Sequence, residues 1–213
     1  MVFDWYDNSF PSVTRLLNPD NRKHKILDMI CQINDSLDFL HRRNTVHGDL
    51  KPNNILVNLT GEEDQWVDAC LADFGLSIDV SGDRCIYIPS WRNKYYAFVQ
   101  DEMYTPKFDV HCFGIVMFYG LMYVETGSVI GTTTLGTFRD HALKDDDGEE
   151  LKDYLSIELP SFVTSHDNML IELMIQCVNP DQDLRPNCSL IHKVLTMDQQ
   201  YKDSDQSLSD LLF

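Results

Sequence analysis

The sequence predicts an α+β fold, mainly α-helical, with one small β-hairpin. Three observations point there. Across residues 25–43, Ile26, Leu27, Ile30, Ile33, Leu37 and Leu40 recur at three- and four-residue steps, the apolar stripe of an amphipathic helix. Leu170-Ile171-x-Leu173-Met174-Ile175 is a second helical apolar run. Between them, Ile55-Leu56-Val57-Asn58 reads as a strand, residues 59–64 as a polar, acidic connection and residues 66–71 as the returning strand. Such a hairpin sets Asn54 and Asp73, just outside its two strands, side by side.

A chain of 213 residues suits one domain or one large lobe, and its 43% hydrophobic content is enough for a sizeable core. Asp and Glu number 34 against 17 Lys and Arg, a formal net charge of -17. Phosphate backbones and anionic lipid surfaces are repelled by such a chain, so neither a nucleic acid nor a membrane is expected as partner. The six Cys form no C-x-x-C pair, and most sit in or beside apolar runs, as buried free thiols do. The N-terminus carries no basic region and no long apolar run, so the expectation is a reduced, intracellular, cytoplasmic protein. The longest apolar stretch, residues 113–124, is broken by Gly114 and Gly120 and is too short to span a bilayer.

Residues 42–44, Arg-Arg-Asn, suit the C-terminus of the first helix. Residues 125–153, with the acidic run at 145–150, read as a solvated surface loop, with a patch for a basic partner as the sharper alternative. Residues 199–213 read as a polar, frayed tail.

The chemistry concentrates in His47-Gly48-Asp49-Leu50-Lys51-Pro52-Asn53-Asn54-Ile55-Leu56-Val57, followed by Leu71-Ala72-Asp73-Phe74-Gly75. Asp49, Lys51, Asn54 and Asp73 are polar groups at turns, anchored by apolar residues on both sides. Such a set suits holding one Mg²⁺-nucleotide and one hydroxyl in line. The stretch resembles the catalytic loop and the Asp-Phe-Gly motif of protein kinases, with Gly48 where the family carries Arg. Cys177-x-x-Pro180-Asp181-x-x-x-Arg185-Pro186 and Asp109-Val110-x-x-Phe113-Gly114-Ile115-Val116 are similar to later motifs of the same family, in its tyrosine-kinase-like group of Ser/Thr kinases.

The resemblance implies a partial kinase domain over residues 1–198, hinge and C-terminal lobe only, with ATP and Mg²⁺ as cofactors. It implies Asp49 as the group that orients the substrate hydroxyl, Lys51 on the γ-phosphate, and Asn54 and Asp73 on the metal. Residues 1–6 resemble the last N-lobe strand and the hinge, so Asp4 and Tyr6 would meet adenine through their backbone, over a floor made by Leu56. Residues 76–89 fit an activation loop bearing Ser77, Ser81 and Tyr87, and Ser90 would position substrate by bonding the catalytic Asp and Lys. His47, Phe74 and Gly75 would be structural, with His47 and Phe74 stacked. Asp109 would hold the catalytic-loop backbone, its alternative being a plain helix N-cap. Arg185 in the family pairs with an Ala-Pro-Glu carboxylate. That motif falls here on Tyr95-Tyr96-Ala97, so a buried Arg185 needs another acid, for which Asp101 and Glu102 are the neighbours considered. Lys51-Pro52 resembles the Ser/Thr-directed pattern.

The resemblance spans the C-terminal two-thirds of a kinase. No G-x-G-x-x-G and no V-A-I-K lysine occur in the 213 residues. Three readings follow: part of an active Ser/Thr kinase, a pseudokinase scaffold that binds a protein partner over its N-lobe-facing surface, or a decayed copy. On each, the isolated chain is expected to show little or no kinase activity.

Overall fold

A computed structural model of the chain describes residues 6–61, 66–82, 103–144, 148–163 and 168–197. The amphipathic stripe forms α2 (Arg22–His41), after β1 (Asn8–Ser9), the single turn α1 (Phe10–Val13) and a 3₁₀ turn. β2 (Thr45–Val46) and residues 47–54 lead into β3 (Ile55–Thr60), which pairs antiparallel with β4 (Trp66–Leu71), Ile55 opposite Leu71 and Leu56 opposite Cys70. β1 adds to the other edge of β3, giving the order β1-β3-β4. The hairpin is therefore as predicted, except that Leu59 and Thr60, assigned to the connection, extend the strand. Gln32 of α2 ties the outer edge of β4 to the helix: its Nε2 donates to Val67 O and its Oε1 accepts from Ala69 N. That use of an open sheet edge leaves fewer unpaired backbone groups.

α3 (Pro106–Thr126) runs through the centre, with every residue from Phe108 to Tyr123 buried. A helix apolar all round needs neighbours all round, and α3 has α2 and α7 (Asn168–Cys177) packed against it. Its length and hydropathy would suffice to cross a membrane, yet 89% of its apolar window is buried inside the protein. The helix is longer than the 113–124 run because Thr105 caps it, accepting from Lys107 N, with Pro106 next.

The polar segment 125–153 is not one loop. It folds into α4 (Thr132–Lys144) and the start of α5 (Glu149–Glu158). Phe138 stacks on Phe118 of α3 at 4.1 Å, and Leu151 and Leu155 are buried one turn apart. α6 (Pro160–Val163), α7 and α8 (Cys188–Met197) complete the helical body, with α8 lying against α2. Of the described cysteines, Cys112, Cys177 and Cys188 are buried, whereas Cys31 and Cys70 are half-buried. Residues 1–5, 83–90, 95–97, 101–102, 145–147 and the 199–213 tail, for which the sequence carries expectations, lie outside the described residues.

Gly114 marks the tightest approach in the core. A Cβ there would lie 2.6 Å from Val178 Cγ1 and 2.9 Å from Cys177 Cβ. Gly114→Ala is expected to overpack by about 1–3 kcal/mol, more than the roughly 1 kcal/mol that alanine's helix preference returns. Gly136 in α4 faces open space, so Gly136→Ala is expected to be stabilising by up to about 1 kcal/mol. Urea midpoints moving in opposite directions check both.

Candidate active site

The site is built where α2 ends, the hairpin begins and α3 starts. Asp49 and Asn54 are joined within one loop: Asn54 Nδ2 donates to Asp49 O at 2.8 Å and to Asp49 Oδ2 at 2.9 Å. Asn54 is nearly buried, and its nitrogen is spent on Asp49, which leaves Oδ1 as the atom to offer a cation. Lys51 Nζ also lies on Asp49 Oδ2, at 2.6 Å. Asp49 is thus held by two donors with about a fifth of its side chain exposed.

Asp73 is brought beside this pair through its chain neighbour. Ala72 N donates to Asn54 O at 2.9 Å, and His47 Nε2 meets Ala72 O at 3.0 Å. A carbonyl only accepts, so His47 carries its proton on Nε2, and its Nδ1 is free to accept from Asp49 N at 3.3 Å. One buried imidazole therefore joins the Asp49 loop to the end of β4. Asp73 itself adopts φ 62°, a left-handed conformation rare outside glycine and tolerated best by Asn and Asp. Its Oδ1 accepts from Gly75 N at 3.4 Å. His47 and Phe74 pack with ring centroids 5.1 Å apart at 55°, the contact the sequence predicts.

Asp109 holds the loop from below. It is fully buried in the first turn of α3, and Thr105, not Asp109, is the helix cap. Its Oδ2 accepts from His47 N at 2.7 Å and lies 3.0 Å from His41 Nε2; its Oδ1 accepts from Gly48 N at 2.9 Å.

The description of the protein kinase domain matches residues 9–197. The chain belongs to the protein kinase family. A serine/threonine-protein kinase-like protein of Arabidopsis thaliana is 33% identical over 96 residues, 44% of this chain and 26% of that protein. LysM domain receptor-like kinase 3 of the same plant is 28% identical over 182 residues, 81% of this chain and 25% of the relative. Platelet-derived growth factor receptor alpha of Homo sapiens is 26% identical over 209 residues, 92% of this chain and 17% of the receptor. The chain therefore spans about a quarter or less of the length of these relatives.

Gly48 stands where the family resemblance places Arg, in a conformation that suits glycine. Its φ is +76°, and a Cβ would stand 2.7 Å from the backbone oxygen of Leu76. Both the backbone twist and the close carbonyl favour glycine. Gly48→Ala is expected to cost about 1–3 kcal/mol through strain at this position, read as a lower melting temperature with unchanged secondary structure.

The remaining predicted positions fall at the margins. Leu56 is half-buried on the sheet face opposite to Ile55 and Val57, beside Cys70. Tyr6 lies outside β4, its hydroxyl donating to Asp68 Oδ2 at 3.1 Å, while Asp7 N donates to Asn58 Oδ1. Burial, then the neighbouring Cys70 and Asp68, push the Tyr6 phenol well above its usual range. Arg185 is 1% exposed, and its guanidinium donates to the carbonyls of Asn179, Lys107 and Pro180. Lys107 Nζ in turn donates to Arg185 O, so this cluster braces the start of α3. Carbonyl oxygens thus do part of the work for which an acid was expected. Asp4 and Ser90 lie outside the described residues.

Two residues of the network are missing from the sequence expectation. His41 closes α2 as an ordinary helix-terminal residue, and Cys188 opens α8. Neither carries a sequence signal that would link it to Asp109, 68 residues from His41 along the chain. Among the described residues no group of three or more His, Cys, Asp or Glu side chains converges as a metal site. Asn54 and Asp73 offer only oxygen donors, which fits Mg²⁺: that ion takes one or two carboxylates and completes its shell with phosphates and water.

Proposed function

We propose that this chain carries the catalytic-loop side of a site that transfers the γ-phosphoryl group of ATP to Ser or Thr hydroxyls of a protein. The observation that supports it is the joining of Asp49, Asn54 and the Asp73 segment through His47 and Ala72. Phosphoryl transfer needs little covalent help and depends on positioning and charge.

In this reading Asp49 Oδ2 accepts the hydrogen bond of the incoming hydroxyl and takes its proton as the new oxygen–phosphorus bond forms and the bond from the γ-phosphorus to the β–γ bridging oxygen breaks, releasing ADP. Asn54 keeps the carboxylate aimed. Lys51, on a flexible stem, exchanges its contact with Asp49 for the γ-phosphate oxygens. Asn54 Oδ1 and the Asp73 carboxylate would hold Mg²⁺, which would neutralise phosphate charge. Leu56 would form the floor under adenine, and Tyr6 would contribute backbone groups beside it. Lys51-Pro52 is what favours Ser and Thr over Tyr. Phe74 is 49% exposed above His47, so a covering element that also closes over the phosphates belongs on this face. The 213 residues alone are expected to transfer little or no phosphate, since they include no Gly-rich phosphate loop.

The test is phosphorylation of protein substrates by the natural gene product isolated from its own source, with Asp49→Asn as comparison. Phosphoserine and phosphothreonine that vanish in Asp49→Asn support the reading. Phosphotyrosine would overturn the Ser/Thr assignment, and incorporation unchanged by Asp49→Asn would overturn the transfer mechanism.

A further inference from the structure

Behind the catalytic loop, side chains from three helices form a line: buried Cys188 and Asp109, with His41, 10% exposed, between them. Cys188 Sγ at the start of α8 lies 3.3 Å from His41 Nδ1 at the end of α2. His41 Nε2 lies 3.0 Å from Asp109 Oδ2 in the first turn of α3. Asp109 then accepts the backbone N–H groups of His47 and Gly48, the two residues before Asp49. Cys188 is 2% exposed, Asp109 is sealed off and the His41 side chain is 10% exposed, so water competes little for these contacts.

We propose that Cys188 is a positioning residue for the catalytic loop: its S–H donates to His41 Nδ1 and fixes the ring as the Nε2–H tautomer that Asp109 requires. This deepens the phosphoryl-transfer reading and rests on it only for the consequence at Asp49.

The donor and acceptor inventory leads to this assignment. A carboxylate only accepts, so His41 Nε2 must carry a hydrogen. In the neutral ring Nδ1 is then a lone pair, and the group facing it must donate. The thiol can do so because it keeps its proton: burial, with the carboxylates of Asp38, Asp109 and Asp35 nearby, pushes it up to about 12. With His41 oriented, Asp109 receives three N–H donors on two oxygens and has no slack to rotate. Without the thiol, the ring can turn over and present carbon to Asp109, and the restraint on His47 and Gly48 weakens. The backbone of Cys188 is pinned separately, Asn34 Nδ2 donating to Cys188 O at 3.0 Å, so side-chain variants keep their place on α2.

The test uses the isotope-labelled full chain, wild type, Cys188→Ser and Cys188→Ala, with nitrogen shifts of the His41 ring and hydrogen exchange of the His47 and Gly48 amides. Expected is an Nε2–H ring with a hydrogen-bonded Nδ1 in the wild type and in Cys188→Ser, and loss of that Nδ1 signature in Cys188→Ala. The two amides are expected to exchange about fivefold faster in Cys188→Ala and to stay within about twofold in Cys188→Ser, the scale of one neutral hydrogen bond. A merely packing role would speed exchange in both variants or across the whole of α8 and leave the ring nitrogens unchanged. That result overturns the proposal, as does a doubly protonated or Nδ1–H ring in the wild type. No readout depends on nucleotide, so failure here is distinct from failure of the kinase reading.

Discussion

Asp109→Ala is expected to remove about 3–5 kcal/mol of stability, the range for taking one partner out of a buried charged network. Three donors lose their acceptor at once: His47 N, Gly48 N and His41 Nε2. His47 and Gly48 are buried and the His41 side chain is only 10% exposed, so little of the bonding is recovered from water, and an unsatisfied buried donor costs about 1–3 kcal/mol. Domains of ordinary stability hold only about 5–15 kcal/mol in total, so this single change takes a large share. Asp109→Asn keeps the shape and one acceptor but turns an amide N–H₂ toward donors, and is expected to fall between wild type and alanine. Urea unfolding followed by two probes checks the order: wild type, asparagine, alanine. Equal midpoints for Asp109→Ala and wild type would mean the three bonds contribute nothing.

The second large effect concerns the metal. Asp73→Asn is expected to weaken Mg²⁺-nucleotide binding by about 100-fold or more, since even outer-shell partners of metal ligands are worth roughly 10–100-fold. The side chain is exposed and its one described bond is a long contact with Gly75 N, so stability should change little. Asp49→Asn should separate from it by leaving binding within a few fold while removing transfer. Calorimetry of Mg²⁺-ATP against the three proteins distinguishes the roles. Equal affinity for wild type and Asp73→Asn would remove Asp73 from the metal.

Why Asp49, Asn54 and Asp73 are legible in the sequence is that their geometry is local. A tight loop and a two-stranded ladder carry them together, and the spacing of Asn54 and Asp73 around the hairpin follows from the pairing of Ile55 with Leu71. α2 is legible because its stripe is regular. α4 and α5 are not, because a run of β-branched Thr at 132–134 and acids at 145–147 obscure short apolar repeats such as Phe138 with Ala142 and Leu151 with Leu155. The pairing of β2 with β5 (Ile78–Asp79) rests on two residues each, too few for a periodic signal. The His41 and Cys188 contacts to the Asp109 network are tertiary, across separations that no local pattern encodes. Arg185 shows a related limit: its burial follows from the motif, but the carbonyls that solvate it come from the folded backbone.

The most direct measurement substitutes Mn²⁺ for Mg²⁺ and follows paramagnetic broadening of the amide signals in the presence of millimolar ATP. If Asn54 and Asp73 form the metal side of a nucleotide site, broadening centres on those two residues and on Phe74 and Gly75, requires ATP, and disappears in Asp73→Asn. Broadening spread over the acidic surface, or unchanged by Asp73→Asn, would contradict the assignment of this loop as a phosphoryl-transfer site.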